Sequence, residues 1–207
     1  MSDREAEADA VAVAQVLAGD REAFALLVTR YARRVHDLAR RMLRDGVEAE
    51  DVAQQAFLNA FRALPRFDPL RPFRHWLLRI TSNLCRNRLA QRGRSPIALG
   101  LVADPFDDDP RTIDPPARPD ASGSRAGDEG TETSRVRAAI EALPETYRMT
   151  AVLRYVHGLS ILEIAQITEE PEATVKTHLH RARATLAASL ADLVPGETGD
   201  AAAGTKG

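Results

Sequence analysis

The chain has 207 residues, 44% of them hydrophobic, and a formal net charge of −2. This length fits one domain or two small ones, no apolar run approaches the roughly 20 residues that span a bilayer, and the acidic N-terminus, MSDREAEADA, is unlike a secretory signal. The one cysteine, Cys85, permits no internal disulfide and no cysteine metal cluster. We therefore expect a soluble cytoplasmic protein without membrane insertion, metal or cofactor.

The small net charge conceals a strong asymmetry along the chain. Residues 30–94 contain fifteen Arg and six acidic residues, a net charge of +9, whereas residues 95–134 contain three Arg and nine acidic residues, a net charge of −6. A basic block beside an acidic segment is the distribution expected when one surface meets phosphate. The charge pattern therefore favours a nucleic-acid-binding protein.

Apolar residues at helical spacing predict two helices at the start of the chain. The first is short and alanine-rich and lies around residues 11–17. Asp20 can cap the second, a long amphipathic helix whose apolar positions recur at steps of three and four over residues 24–42. We expect Asp45-Gly46 to end this helix.

Two more helices are predicted in the first half of the chain. One runs over about residues 47–64 and is ended by Pro65. The loop RFDPLRP at residues 66–72 is interrupted by proline and cannot be helical throughout. The next helix spans about residues 73–91, and no strand-like alternation of useful length occurs. This half is therefore predicted to be all helical.

Residues 95–133 differ in kind from those before them. They are rich in proline, contain the acidic run at residues 107–109 and a Gly/Ser stretch, and offer few apolar side chains to offset the entropy of ordering. We predict a flexible acidic linker here. Residues 134–193 then form a second helical domain, and residues 194–207 are predicted to be a disordered tail.

The second domain contains a helix-turn-helix pattern at residues 159–186, preceded by two helices between residues 134 and 158. Ser160 and Glu163 can form a capping box at the first helix of the motif, and Pro171 suits the start of the second helix. The basic residues of that second helix face outward, where they could enter a major groove. An ordinary amphipathic hairpin with a solvated basic face is the alternative interpretation.

Two sets of short motifs follow one another across the acidic linker. In chain order they are EDVAQQAF at 50–57, FRHWLLRI at 73–80, NL at 83–84, LP at 143–144, YR at 147–148, GLS at 158–160, EIA at 163–165, TVK at 174–176 and LHRAR at 179–183. Together they resemble the extracytoplasmic-function group of bacterial sigma factors, in the sigma-70 family, whose first motif reads E-D-x-x-Q-E-x-F. Each motif is weak alone, but two sets in this order are specific.

The resemblance implies an all-α fold and a function without catalysis. Residues 1–94 would be a region 2-like domain for core polymerase and the −10 element, and residues 134–193 a region 4-like domain for the −35 element. The linker would thread the polymerase active-site cleft. The implied partners are RNA polymerase core (its largest and second-largest subunits), promoter DNA and an anti-sigma factor, and the implied activity is promoter recognition, DNA melting and transcription initiation.

The resemblance also assigns residues to three surfaces. The core-docking set is Arg40, Arg41, Asp51, Gln54, Gln55 and Phe57. The −10 set, in the loop that would capture a flipped base and in the helix after it, is Arg66, Phe67, Asp68, Arg71, Arg74, Trp76, Arg79, Asn83, Arg86 and Asn87. The −35 set is Thr174, Lys176, Thr177, His178, His180, Arg181 and Arg183.

The turn of the helix-turn-helix departs from the family pattern. Glu169 stands where glycine is usual, and Glu170 where an apolar residue is common. A non-glycine residue at positive φ is strained, so we expect a reshaped turn or a tilted recognition helix. The two acidic side chains would also repel DNA phosphate.

A free-standing helix-turn-helix regulator is the alternative function, with the first half as a sensor or dimerisation module. A sensor needs neither the Arg-rich fourth helix nor the EDVAQQAF motif, so the sequence favours the sigma factor. No nucleophile–base pair, phosphate loop or metal constellation points to an enzyme. We further expect Trp76 to be a scaffold residue, Cys85 to be buried, and the free chain to bind duplex DNA poorly.

Overall fold

A computed structural model describes residues 3–92 and 131–191. In these two ranges the chain forms α-helices and short 3₁₀ and π segments and no strand, which confirms the predicted all-α class. The α-helices are α1 Asp3–Leu17, α2 Phe24–Leu43, α3 Gly46–Ala63, α4 Phe73–Arg92, α5 Thr131–Ala142, α6 Glu145–Ala151, α7 Ile161–Thr168 and α8 Glu172–Ser189. The predicted tail and all of the predicted linker before α5 lie outside the described residues.

Helices α1 to α4 enclose one apolar core. The stripe predicted for α2 is its buried face: Leu27, Tyr31 and Val35 are at most 2% exposed. They meet the small side chains of α3, such as Ala56 and Ala60, which let the two helices approach closely. The core therefore rests on the three-and-four spacing of α2 against an alanine-rich face of α3.

The end of α2 differs from the sequence prediction. The sequence predicts that Asp45-Gly46 ends the helix, but its last residue is Leu43, and Arg44 caps it in a left-handed conformation with a φ of 56°. Asp45 instead caps the start of α3, because its carboxylate accepts hydrogen bonds from the Val47 and Glu48 amides at 2.9 and 3.0 Å. An aspartate side chain is well suited to satisfy such unpaired first-turn donors.

The helix-turn-helix consists of α7 and α8, and its predicted capping box is present. Ser160 Oγ accepts from the Glu163 amide at 3.3 Å, and the Glu163 carboxylate accepts from the Ser160 amide at 2.7 Å. Glu169 ends α7 in the left-handed region, with a φ of 61°, so the strain expected at this departure from the family pattern is real. Pro171 precedes the first residue of α8.

The two halves also pack against each other, a contact that the sequence analysis did not predict. One core cluster contains Leu38 and Met42 of α2 and Leu78 of α4 together with Leu153 and Ile164 of the second half. All five are at most 1% exposed. Their burial on both sides of the seam makes the two domains one continuous body in the described residues.

A buried arginine completes this seam. Arg148 in α6 is 5% exposed and donates from Nε and Nη2 to the Leu143 carbonyl at 3.0 and 2.6 Å. Its Nη1 donates to the Met42 carbonyl at 2.8 Å. Met42 lies in the last turn of α2, where carbonyls have no partner within the helix. The second half thus satisfies the C-terminal end of a helix in the first half.

Cys85 is completely buried, as predicted. Burial raises the pKa of its thiol to about 12, so the reactive thiolate is not formed at neutral pH in the folded chain. In the described part of the chain, no helix combines the length and the apolar character that a membrane span requires.

Candidate polymerase and nucleic-acid interfaces

The core-docking set lies on α2 and α3. Arg40, Asp51 and Gln54 are exposed, and Gln54 donates to the Glu50 carboxylate one turn earlier at 3.0 Å. Arg41 differs from its neighbour: it is 9% exposed and its Nε lies 3.0 Å from an Asp37 carboxylate oxygen on the same helix. The structure therefore presents Asp51 and Gln54 together on the outer face of α3, while Arg41 is turned inward.

Phe57, the apolar member of the set, is half-buried at the edge of a shallow depression. Phe24, Val28, Leu58 and Phe61 line the same depression, and Leu58 is 51% exposed. The α3 surface therefore offers an apolar patch directly beside its exposed polar residues. The family motif identifies Phe57 from the sequence but not Leu58, whose only sequence signal is that it lies outside the apolar stripe of α3.

The loop between α3 and α4 is shaped by one aspartate. The Asp68 carboxylate accepts from the Leu70 amide at 3.0 Å and lies 3.4 Å from Arg71 Nε. Its carbonyl accepts from the Arg71 amide at 3.0 Å. Arg66 and Arg71 are exposed on this loop, so Asp68 acts on the loop conformation and leaves the arginines facing solvent.

Three aromatic rings support the loop from below. The Phe67 and Trp76 ring centroids are 4.9 Å apart, and Phe73 lies 5.6 Å from each of them. Trp76 is half-buried within this group. It packs as a scaffold residue, in agreement with the expectation, and it fixes the start of α4 beneath the loop.

Three arginines of the −10 set point to the second half of the chain. Arg74 is 4% exposed and donates to the His157 carbonyl. Arg79 forms an ion pair with Glu169. Arg86 donates to the Thr168 carbonyl at 3.1 Å. The family resemblance predicts these arginines on a DNA-facing surface and does not indicate their partners in the second half.

The −35 set divides into exposed and supported residues. Lys176, Thr177 and His180 are exposed on α8. His178 is half-buried, with Nδ1 3.5 Å from a Glu170 carboxylate oxygen. The outward face of α8 therefore carries a lysine, a hydroxyl and an imidazole that remain accessible.

Two tyrosines, of which only Tyr147 lies in a family motif, hold the arginines of α8. Arg181 Nη1 donates to the Tyr147 hydroxyl at 3.0 Å, with its guanidinium 5.9 Å from the ring centroid. Arg183 Nε donates to the Tyr155 hydroxyl at 2.7 Å. Thr174, the first member of the set, is half-buried. These contacts fix the direction of both guanidinium groups along the helix.

Two titratable groups lie where the halves meet. Glu163 accepts from Ser160 and lies 3.1 Å from His75 Nε2, and these contacts, that of His75 first, lower its pKa to about 2. Burial lowers the pKa of His157 to about 4, against a smaller opposing effect of Asp37. Because of both groups, the stability of the folded chain, with its two halves in contact, depends on pH.

We expect the free energy of unfolding to fall as the pH is lowered from neutral. Between about pH 6.5 and 4, the unfolded chain protonates at His157 while the folded chain does not. From about pH 4.5 to 2 the stabilisation by ionised Glu163 is lost as well. Urea unfolding at a series of pH values measures both. Glu163→Gln should flatten only the lower range, and a profile flat from pH 7 to 4 would contradict the His157 contribution.

Comparisons with known proteins cover both halves. The family Sigma-70 region 2 matches residues 27–95, and Sigma-70, region 4 matches residues 133–186. The chain is 35% identical over 190 residues to the RNA polymerase sigma-H factor of Pseudomonas aeruginosa, which covers 91% of this chain and 96% of that protein. It is 36% identical over 182 residues to the ECF RNA polymerase sigma factor SigW of Bacillus subtilis, which covers 87% and 96%.

The fold agrees with these matches. The solved structure of CnrH in complex with the cytosolic domain of CnrY superposes with a TM-score of 0.61 at 28% identity and covers 91% of this chain and 99% of that one. Region 2 matches the first half of the chain and region 4 the second half, which identifies a promoter-directing sigma factor and not a free-standing regulator. The chain belongs to the extracytoplasmic-function group of bacterial RNA polymerase sigma factors, in the sigma-70 family.

Proposed function

We propose that this sigma factor, working in the cytoplasm and without catalysis of its own, binds RNA polymerase core through the outer face of α3 and reads promoter DNA with both halves. The core contacts would involve the largest and second-largest subunits. The observation that carries the proposal is that each half leaves a polar set exposed where the family motifs lie: Asp51 and Gln54 on α3, and Lys176, Thr177 and His180 on α8.

The loop at residues 66–72 and α4 would open the −10 element. Extruding a base from the duplex costs a few kcal/mol. Contacts of the backbone with a positively charged groove and of the base with a pocket must offset this cost. Arg66 and Arg71 are exposed for phosphate contacts, and the group of Phe67, Phe73 and Trp76 holds the loop in place. The aromatic group thus holds the loop where it joins α4, while its two arginines face solvent.

Helix α8 would read the −35 element in the major groove. Lys176 can contact a phosphate or the acceptors of a guanine edge, and a good pair of such contacts discriminates by roughly 1–3 kcal/mol. About half or more of all protein–DNA hydrogen bonds go to the phosphates and sugars. Some residues of the −35 set would therefore position the helix and not read bases.

An anti-sigma partner is part of the proposal. Support comes from CnrH, the relative solved in complex with the cytosolic domain of CnrY, which aligns along 91% of this chain.

An acidic linker would be repelled by free DNA and would fit a basic channel of the polymerase. The two halves would therefore read DNA only once they are bound to core.

Reconstitution with core polymerase tests the proposal. Promoters are selected from a random DNA library with core and the purified chain, and initiation is measured on the selected sequences. We expect specific transcripts that require the chain, and no tight duplex binding by the chain alone. Tight sequence-specific binding of duplex DNA without core, together with inert core, would instead support the free-standing regulator.

Lys176→Ala should weaken recognition of a selected promoter by about 5- to 150-fold if the lysine reads a base edge. If it contacts phosphate, the loss should be similar for all sequences and should reduce the slope of log affinity against log salt by about one. Initiation assays at several salt concentrations distinguish these cases. Arg21→Ala, at an exposed cation outside all three sets, is the control, and an unchanged Lys176 variant would remove the lysine from the −35 set.

A further inference from the structure

Four side chains of α4 bind one short segment of the second half. Arg74 donates to the His157 carbonyl, His75 lies 3.1 Å from the Glu163 carboxylate, Arg79 pairs with Glu169 and Arg86 donates to the Thr168 carbonyl. These positions span residues 74 to 86 of α4, so the contacts run along most of its length. Their partners are α7 and the residues at its two ends.

The apolar contact beneath these bonds is continuous. Leu78 and Cys85 of α4 lie in the same core cluster as Leu159, Ile164 and Ile167 of the second half, and all five are at most 1% exposed. Burial of this kind stabilises the arrangement without direction, while the polar contacts determine which face of α4 is covered.

We infer that α7 and the turn after it are an intramolecular cover for α4, which must detach before α4 reads promoter DNA. This inference rests on the proposed function, because it takes α4 as a DNA-reading helix. Arg74, Arg79 and Arg86 belong to the −10 set, and in the closed chain each is bound to an oxygen of the second half. The cover thus competes with DNA for the same donors.

Within the cover, the Glu169 carboxylate is the group most similar to a DNA phosphate. Its carboxylate occupies on Arg79 the place that a phosphate oxygen would take. The residue holds a φ of 61°, a backbone conformation in which glycine would be unstrained. The ion pair with Arg79 explains why an acidic residue, and not glycine, occupies this strained position.

Arg86 uses a second feature of α7. Thr168 is the last residue of α7, so its carbonyl lacks a partner within the helix and lies at the negative end of the helix dipole. Arg86 Nη1 donates to this oxygen, and Nη2 donates to Asn83 at 2.5 Å. Arg86 and Asn83, both in the −10 set, are thereby engaged together.

The cover has a consequence for polymerase binding. If only the open chain can place both halves on core and DNA, the apparent affinity is the intrinsic affinity reduced by the open fraction. A substitution that weakens the cover without touching the three reading surfaces should therefore lower the chain concentration needed for half-maximal initiation.

Cys85 is a natural reporter of opening, because the one thiol of the chain is buried in the shared core. The experiment measures the rate at which 5,5′-dithiobis(2-nitrobenzoate) labels the full-length free chain. Glu169→Gln removes the charge that holds Arg79. Glu170→Gln is the matched control, since it removes the same charge from the same turn but its carboxylate lies against His178 of its own half.

We expect Glu169→Gln to label about two- to fivefold faster than the unmodified chain, the size typical of a partly exposed ion pair. The urea midpoint of global unfolding should fall by no more than the same small difference in free energy. Glu170→Gln should label at the original rate. In a charge-swap series, Arg79→Glu and Glu169→Arg should each label faster, and their combination should return towards the original rate. Equal labelling by all variants, or by Glu169→Gln and Glu170→Gln alike, would overturn the cover.

The same variants in the initiation assay separate this inference from the proposed function. Glu169→Gln should reach half-maximal initiation at about two- to fivefold lower chain concentration than Glu170→Gln. If the chain supports initiation but labelling does not respond to Glu169, the cover is wrong and the proposed function stands. If the chain never supports initiation with core, the proposed function fails whatever the labelling shows.

Discussion

Asp51→Lys should abolish association with core polymerase at working concentrations while the fold stays intact. Asp51 is exposed on α3 beside Gln54 and the apolar depression around Phe57, so the substitution reverses a charge at the centre of the proposed contact. Hot-spot residues, which cluster near the centre of an interface, cost about 2 kcal/mol or more when truncated, and a like charge placed opposite a charge of the partner costs several kcal/mol. We expect at least about a thirtyfold loss of affinity in a titration of fluorescently labelled chain with core.

Glu22→Lys is the matched control for this variant. Glu22 is also exposed, in the 3₁₀ turn Arg21–Ala23, and the same change of charge there should leave core affinity within about twofold. Thermal unfolding of both variants checks that the fold is unchanged. If Asp51→Lys bound core and initiated as well as the control, the outer face of α3 would not be the docking surface.

Arg148→Met should cause the largest loss of stability among single polar substitutions at the seam. The change leaves the Leu143 and Met42 carbonyls without their donor, and each unsatisfied buried group costs about 1–3 kcal/mol, so the loss is about 2–6 kcal/mol. Burial lowers the pKa of Arg148, yet a guanidinium remains charged at neutral pH. Methionine keeps much of the apolar length, which limits the packing loss.

Urea unfolding followed by circular dichroism and by Cys85 labelling measures this loss. Because the two halves share one core, both probes should report a single transition at a lower midpoint. Arg21→Met, at an exposed arginine, is the control and should change the free energy of unfolding by no more than about 0.5 kcal/mol. A loss below that level for Arg148→Met would show that the seam does not depend on these hydrogen bonds.

Local features of this fold could be predicted from the sequence because short-range rules govern them. The spacing of Leu27, Tyr31 and Val35 identified the buried face of α2. The pair Ser160 and Glu163 identified the start of α7. The family motifs identified the family, which the family matches at residues 27–95 and 133–186 confirm. The residue assignments within the three surfaces remain predictions.

The contact between the halves was decided only by the tertiary structure. Arg74, Arg79 and Arg86 bind partners 83, 90 and 82 residues away, and a helical pattern shows which face is buried but not what covers it. An arginine is exposed by default, and it becomes buried only where distant carbonyls or carboxylates meet its donors. The sequence by itself therefore determined the helices, their caps and the family, whereas long-range packing decided that the arginines placed on the DNA-reading helix are held by the chain's own second half.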